Sequence, residues 1–194
     1  MDYSHFIPKE ASVYVEELLR PLSLEIRLTK TRKTKHGDYR KLPSGVHQIS
    51  INIGENPYRF LLTLVHEIAH YVAFTQYGYK IMPHGKEWKM TFKTLMEPLL
   101  VKTVFPEDLL SVLQLHFQNP KASSDTDGRL ASALQLYDPY DGKAALNTLA
   151  YGDQFTFRER SFTLIEKRRT RFLCEENLTK KRYLVPGHAR VNPE

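Results

Sequence analysis

Residues 61–70 read LLTLVHEIAH, an almost wholly apolar segment that contains the pattern H-E-x-x-H. In a helix, a spacing of four residues turns the chain by about 400° and advances it by about 6 Å. His66 and His70 would therefore project from one face, close enough to bind a single metal ion. Two histidines at this spacing supply half of a tetrahedral zinc site, and Glu67 lies beside them as a general base acting on water.

The residues around this segment predict that it lies in a buried helix. Asn56 and Pro57 form a start signal, as the N-cap and the first helical residue. From residue 61 to residue 73, apolar side chains cover nearly every face, which is typical of a helix inside a core. Short motifs also occur by chance, but two histidines and a glutamate in a buried helix are costly unless they are paired or bind a metal. We therefore predict a metal site.

A catalytic zinc ion usually has three protein ligands and one open position, so a third ligand is needed. His84 is the leading candidate, because the polar and aromatic connector at residues 71–83 is long enough to return it over the helix. Glu87 and Glu97 are alternatives, since sites with two histidines and one glutamate are also common. We favour His84 over either acid.

Two motifs in a fixed order make the chain resemble a known family. HEIAH, followed by PHGKEWK at residues 83–89, resembles the SprT-like family of zinc metallopeptidases, which includes the Spartan-type DNA–protein crosslink proteases. The resemblance covers about residues 4–98. It implies peptide hydrolysis, often stimulated by nucleic acid, and a role in DNA–protein crosslink repair.

The resemblance also implies a fold and a set of site residues. The expected fold class is α+β, with a zincin-like metallopeptidase core made of a small sheet, the H-E-x-x-H helix and the helices that follow it. A small C-terminal antiparallel β appendage completes it. The implied residues are His66, His70 and His84 as ligands of one catalytic Zn²⁺ ion, Glu67 as the catalytic base, and Trp88 as an aromatic side chain packed near the site.

The C-terminal region departs from the pattern of many relatives, which carry a zinc ribbon built on paired Cys-x-x-Cys elements. Cys174 is the only cysteine here, so we expect apolar packing to replace a second zinc ion. Short β runs after residue 151 predict antiparallel hairpins. The expected organisation is a core at residues 1–118, a linker with a short helix at 119–150, and a basic β-hairpin module at 151–194.

Composition places the chain among ordinary globular proteins. Of its 194 residues, 41% are hydrophobic and 26% are charged. A single cysteine excludes an intrachain disulfide and fits a reducing cytosol. The first ten residues do not resemble a signal peptide, and no apolar run approaches the length that spans a bilayer. We therefore expect a cytoplasmic protein that does not associate with membranes, of undetermined oligomeric state.

The net charge of +6 is concentrated in two basic blocks, at residues 27–41 and 158–182. Clustered positive charge favours a polyanion, so single-stranded or damaged DNA is a candidate partner. The alternative is a solvated surface. Aromatic residues among the C-terminal charges could stack on bases, although they more often form the core of a small sheet. The candidate nucleic-acid residues are Lys33, Lys35, Arg168, Arg169 and Arg171.

Two alternating segments predict strands before the H-E-x-x-H helix. One spans residues 22–28 and the other residues 47–53, and Gly37-Asp38 between them is a turn signal. In zinc peptidases, a strand edge above the metal often holds the substrate extended by main-chain hydrogen bonds. Residues 49–53 are the candidate for that edge, although they could equally form an interior strand.

The function that fits these patterns is zinc-dependent hydrolysis of peptide bonds in proteins, nucleic-acid-associated proteins above all. One alternative is a nucleic-acid-associated zinc-binding protein with vestigial or no peptidase activity, which the basic C-terminal region favours. Another is a peptidase that acts on a cytosolic partner unrelated to nucleic acid.

Overall fold

A computed structural model describes residues 3–32 and 34–194 of the chain. These residues form a mixed α+β structure with two compact units. The first unit comprises Met1–Ser123 and Ala133–Asp138, and the second comprises Ser124–Ser132 and Pro139–Glu194. The helices are α1 (Ser12–Leu19), α2 (Pro57–Tyr77), α3 (Lys86–Met96), α4 (Glu107–His116) and α5 (Gly128–Gln135). The strands are β1 (Leu24–Thr29), β2 (Gly37–Lys41), β3 (His47–Asn52), β4 (Ala144–Ala145), β5 (Gln154–Phe157), β6 (Arg160–Arg168), β7 (Arg171–Glu176), β8 (Arg182–Pro186) and β9 (Arg190–Pro193).

The first unit is built on a three-stranded sheet in the order β1-β3-β2. Strand β1 is parallel to β3, and β2 is antiparallel to it. Ile49 and Ile51 of the central strand are fully buried, and α2 packs against β2 and β3. The sheet therefore forms the support on which the H-E-x-x-H helix lies.

Helix α2 begins where its sequence signals predict, but it continues to Tyr77, into the segment from residue 71 that we expected to be a connector. The Asn56 side chain accepts a hydrogen bond of 2.9 Å from the backbone N–H of Arg59, and Pro57 is the first helical residue. Gly78, with φ 74°, ends the helix in a conformation that favours glycine. The helix is also buried as predicted, along most of its length, and its fully buried apolar residues are Phe60, Leu61, Leu64, Val65, Ile68, Ala69 and Ala73.

One expectation about the sheet is wrong, and of the two alternatives left open for residues 49–53 the interior strand is the one that forms. Gly37-Asp38 does not form a turn but begins β2, because pairing with β3 outweighs the local turn preference of these residues. Residues 49–53 do not offer an edge, because β3 lies between β1 and β2. The strands predicted at residues 22–28 and 47–53 are confirmed as β1 and β3.

A hydrogen-bonded ion pair fixes β2 on the face of the sheet away from α2. Arg32 donates to Asp38 at 2.5 Å and to Ser50 at 2.9 Å, while the Ser50 hydroxyl donates to the same Asp38 oxygen at 2.5 Å. Asp38 and Ser50 are direct partners in the β2–β3 ladder. This network therefore fixes the register of β2.

Replacement of Asp38 by asparagine is expected to destabilise the protein in a pH-dependent way. Burial raises the pKa of this carboxyl, but hydrogen bonds from Ser50, Lys35 and Arg32 outweigh burial and lower the pKa to about 2. A carboxyl with a lowered folded-state pKa contributes stability above its ordinary pKa of 3.8, and that contribution is lost as the pH falls through about 2. The melting temperature of the variant should lie below that of the parent at pH 7. The difference should shrink between pH 4 and pH 2, and a constant difference would contradict the assignment.

The second unit contains a six-stranded sheet in the order β4-β9-β5-β6-β7-β8, with neighbouring strands antiparallel. The sheet is larger than the predicted hairpins, because β4 and β9 extend it beyond β5. Its aromatic residues Phe155, Phe162 and Phe172 are buried, which confirms the core interpretation for these three over base stacking. The buried core consists of Leu146, Phe155, Phe162, Leu164, Phe172, Cys174, Val185 and Val191.

The predicted division into a core, a linker and a C-terminal module, with boundaries at residues 118 and 150, stays a prediction. The two compact units describe how the chain packs and do not show what each part does. Among the helices of the described residues, none combines the length and the apolar character needed to cross a membrane.

Candidate metal centre

Three histidines converge in the first unit: His66 and His70 from α2, and His84 from the segment before α3. Their Nε2 atoms lie 3.2 Å apart between His66 and His70, 3.0 Å between His70 and His84, and 3.2 Å between His84 and His66. Two nitrogens bound to one tetrahedral zinc ion at about 2.0–2.1 Å would lie about 3.3 Å apart. The histidine cluster (His66, His70 and His84) therefore has dimensions that fit one such ion.

The histidine cluster is composed of neutral imidazoles, the form that binds metals. Burial lowers the pKa of His66 well below its ordinary value, and the neighbouring histidines lower it further. Burial, followed by the charge of His84, lowers the pKa of His70 to about 4, and burial also lowers the pKa of His84. Glu87 and Glu97 are not members of the cluster, so among the described residues the third ligand candidate is a histidine.

A tight turn before α3 directs His84 back towards α2. His84 has φ 59°, a left-handed conformation that costs a residue with a side chain about 1–2 kcal/mol. The next residue, Gly85, donates its backbone N–H to the Met82 carbonyl at 2.8 Å. A Cβ atom on Gly85 would lie 2.9 Å from that same oxygen. The glycine therefore allows the turn that places His84 in the cluster.

Trp88 on α3 packs against every member of the cluster. Its ring centroid lies 4.6 Å from that of His66, 5.1 Å from that of His70 and 4.7 Å from that of His84. The indole is 1% exposed, and its buried Nε1 atom has no hydrogen-bond partner within residues 3–32 and 34–194. The tryptophan thus covers one side of the site and excludes water there.

Because Trp88 is the only tryptophan, its fluorescence should report metal binding directly. Adding Co²⁺ to metal-free protein should quench most of the emission, since the indole touches all three candidate ligands. Excess Zn²⁺ should compete and restore the signal. The His84→Ala variant is the matched control and should show little quenching. Equal quenching of the parent and the variant would contradict binding by the cluster.

Glu67 lies beside the cluster and is not one of its members. Its side chain is 5% exposed and accepts a hydrogen bond from the backbone N–H of Tyr39. Burial, followed by the negative charge of Asp38, raises the pKa of Glu67 to about 8. The carboxyl group is therefore positioned against β2, in surroundings that raise its pKa.

Sequence reasoning missed the contribution of β2 to the site. The Tyr39 ring lies parallel to that of His70, with centroids 6.3 Å apart, and its hydroxyl is 2.7 Å from Nδ1 of His47. Burial, followed by Tyr71 and Tyr79, raises the pKa of Tyr39 to about 12, so the hydroxyl is protonated at neutral pH. In β2, Tyr39 stands alone among a glycine and charged residues. The segment therefore lacks the alternation of apolar and polar side chains that would predict a strand.

The candidate nucleic-acid residues lie in both units, and their role stays a prediction. Lys35 pairs with Asp38 at 3.0 Å in the first unit, and Lys33 lies outside the described residues. In the second unit, Arg168 pairs with Glu166 at 2.6 Å, Arg169 occupies the turn after β6 with φ 50°, and Arg171 faces Arg168 across the ladder.

The model of the SprT-like family matches residues 12–108, half of the chain. A Protein SprT of Glaesserella parasuis serovar 5 (strain SH0165) is 43% identical over 47 residues, which cover 24% of this chain and 30% of that protein. A Protein SprT of Pseudomonas fluorescens (strain SBW25) is 41% identical over 44 residues, which cover 22% of this chain and 27% of that protein. The matched part therefore spans less than a third of each relative. No solved structure matches the chain significantly.

Proposed function

The chain belongs to the SprT-like family, and on that premise we propose that it is a zinc-dependent metallopeptidase that hydrolyses peptide bonds in proteins. The observation that carries the proposal is the convergence of three Nε2 atoms within 3.2 Å of one another, beside a buried carboxyl group. Neutral imidazoles at these separations fit the ligand set of one zinc ion with an open fourth position. His66, His70 and His84 would hold it.

When bound in such a site, zinc supplies Lewis-acid chemistry, polarising a carbonyl oxygen and making water more acidic. Glu67 would take a proton from water onto its carboxylate and later pass it to the leaving amine. Its pKa of about 8 lies near neutrality, where a carboxyl group can both accept and release a proton. Trp88 and Tyr39 would keep the imidazoles in place by packing against them.

The substrate would bind along β2. Residues 49–53, the earlier candidate for the substrate-binding edge, form an interior strand. Strand β2 is at an edge of the sheet, where Gly37 lies beside Glu67 and the Tyr39 ring lies parallel to that of His70. An extended peptide paired with a sheet edge gains main-chain hydrogen bonds. An edge strand above the H-E-x-x-H helix is also what a zincin-like core requires, and this arrangement supports that classification.

Nucleic-acid-associated proteins are the proposed substrate class, and the two basic blocks support it. Exposed arginines at the β6–β7 turn and the surplus of positive charge in residues 27–41 would attract DNA, and proteins bound to it, through counterion release. The alternative is a nucleic-acid-associated zinc-binding protein without peptidase activity, which the same basic residues of the second unit favour. A cytoplasmic location remains part of the proposal.

One experiment tests the function directly. The metal content of the purified protein is measured, and casein and histone cleavage is followed with and without single-stranded DNA. We expect one zinc ion per chain and cleavage that stops on chelation and returns with zinc. Bound zinc and salt-dependent DNA binding without cleavage of either protein would support the alternative.

A further inference from the structure

Strand β2 approaches α2 most closely at Gly37, where the H-E-x-x-H helix presents Glu67. A Cβ atom added to Gly37 would lie 2.8 Å from the Glu67 Oε1 atom and 2.9 Å from its Cγ atom. It would also lie 2.8 Å from the Cγ2 atom of Thr63, one turn earlier on α2. The Glu67 side chain therefore occupies the space that any other residue at position 37 would fill.

The backbone of β2 holds the carboxyl group from two directions. The backbone of Gly37 lies beside one oxygen of the Glu67 carboxyl group, and the N–H of Tyr39 donates a hydrogen bond to the same carboxyl group. Both residues lie on the face of β2 towards α2, because side chains alternate along a strand. Asp38, between them, faces the opposite side and binds Arg32 and Ser50. The ion pair of Arg32 with Asp38, on the opposite face of β2, thus holds in place the backbone that lies beside Glu67.

A glycine in the interior of a strand weakens the strand, since it has no side chain to pack. Position 37 requires no left-handed backbone, because Gly37 is not among the residues with positive φ. The three atoms nearest to a Cβ at this position all belong to Glu67 and Thr63, and they give the steric reason for a glycine here.

We propose that Gly37 is a positioning residue for the catalytic base: its lack of a side chain sets where the Glu67 carboxylate lies relative to the histidine cluster. The inference rests on the proposed function, since it assigns Glu67 the role of base. Displacement of a catalytic group by about 1 Å can reduce a rate by roughly 10²-fold. A methyl group at position 37 would overlap the Glu67 side chain, and no imidazole of the cluster is among its three nearest contacts.

The test is the Gly37→Ala variant, with Gly128→Ala as the matched control. At Gly128 an added Cβ would meet only the His188 Nδ1 atom, at an ordinary 3.7 Å. Gly37→Ala should lower kcat by about 10²-fold. Its KM, its zinc content and the Co²⁺ quenching of Trp88 should stay at parental values. Gly128→Ala should match the parent in all four. A Gly37→Ala enzyme with the kcat of the parent would overturn the proposal.

A thermal double-mutant cycle tests the contact independently of activity. Gly37→Ala should lower the melting temperature of the parent, and the loss should be clearly smaller in a Glu67→Ala background, where two of the three close contacts are gone. An equal loss in both backgrounds, or a double variant that does not fold, would show that Gly37 serves the fold alone. A parent protein that binds zinc but has no peptidase activity would instead disprove the proposed function. The double-mutant cycle would still show whether Gly37 and Glu67 interact.

Discussion

Glu67→Gln is expected to lower kcat by about 10³-fold, within the roughly 10²–10⁴-fold that general acid–base catalysis contributes. Glutamine has nearly the shape of glutamate but cannot take a proton from water. Its side-chain oxygen can still accept the hydrogen bond from the Tyr39 N–H, and it still fits against Gly37. The change therefore removes the proposed proton transfer and leaves the surroundings of the site intact.

Zinc content and the Trp88 response to Co²⁺ should be parental in this variant, because the histidine cluster does not include Glu67. Initial rates of casein or histone cleavage, with the two proteins purified in parallel, provide the measurement. Glu67→Asp is a useful companion, since it keeps the carboxyl group but shortens its reach. If Glu67→Gln cuts as fast as the parent, Glu67 is not the base.

The second large effect concerns the ligand that comes from outside α2. His84→Ala should weaken zinc binding by more than the roughly 10–100-fold typical of losing an outer-shell partner, because a direct ligand is removed. His66 and His70 would remain, but two imidazoles do not complete a catalytic ligand set. Peptidase activity should disappear at zinc concentrations that saturate the parent, and competition with a metal-binding dye measures the affinity.

The backbone at position 84 requires its own control. With φ 59°, the residue lies in the left-handed region, which asparagine tolerates better than alanine does. His84→Asn should therefore keep the turn and the melting temperature of the metal-free protein, yet lose zinc binding like His84→Ala. His5→Ala, at an exposed position outside the cluster, should keep both zinc and activity. Tight zinc binding by His84→Asn would exclude His84 as a ligand.

Several features of the molecule could be predicted because they depend on neighbours within one or two helical turns. Asn56 and Pro57 start α2 through local hydrogen bonding and a fixed backbone angle. His66 and His70 share a face because a helix repeats every 3.6 residues. Burial of α2 followed from its apolar composition, and the resemblance to the SprT-like family rested on motifs that lie in sequence order.

Other features depend on residues that are distant in sequence. Gly37-Asp38 has the composition of a turn, but pairing with β3 makes it a strand. The position of β3 between two neighbours, which moved the sheet edge to β2, follows from strand pairing that no single segment encodes. The β2 side of the site could not be predicted for the same reason, since Gly37 meets Glu67 across 30 residues of chain.

The sequence by itself determined the helix that carries the two histidines and the glutamate, since helical hydrogen bonds join residues only four apart. The sequence favoured His84 as the third ligand, but only the tertiary structure shows it within 3.0 Å of His70 and the backbone of β2 against Glu67. These contacts form only when separate segments pack together, and packing depends on the shapes of all the partners at once.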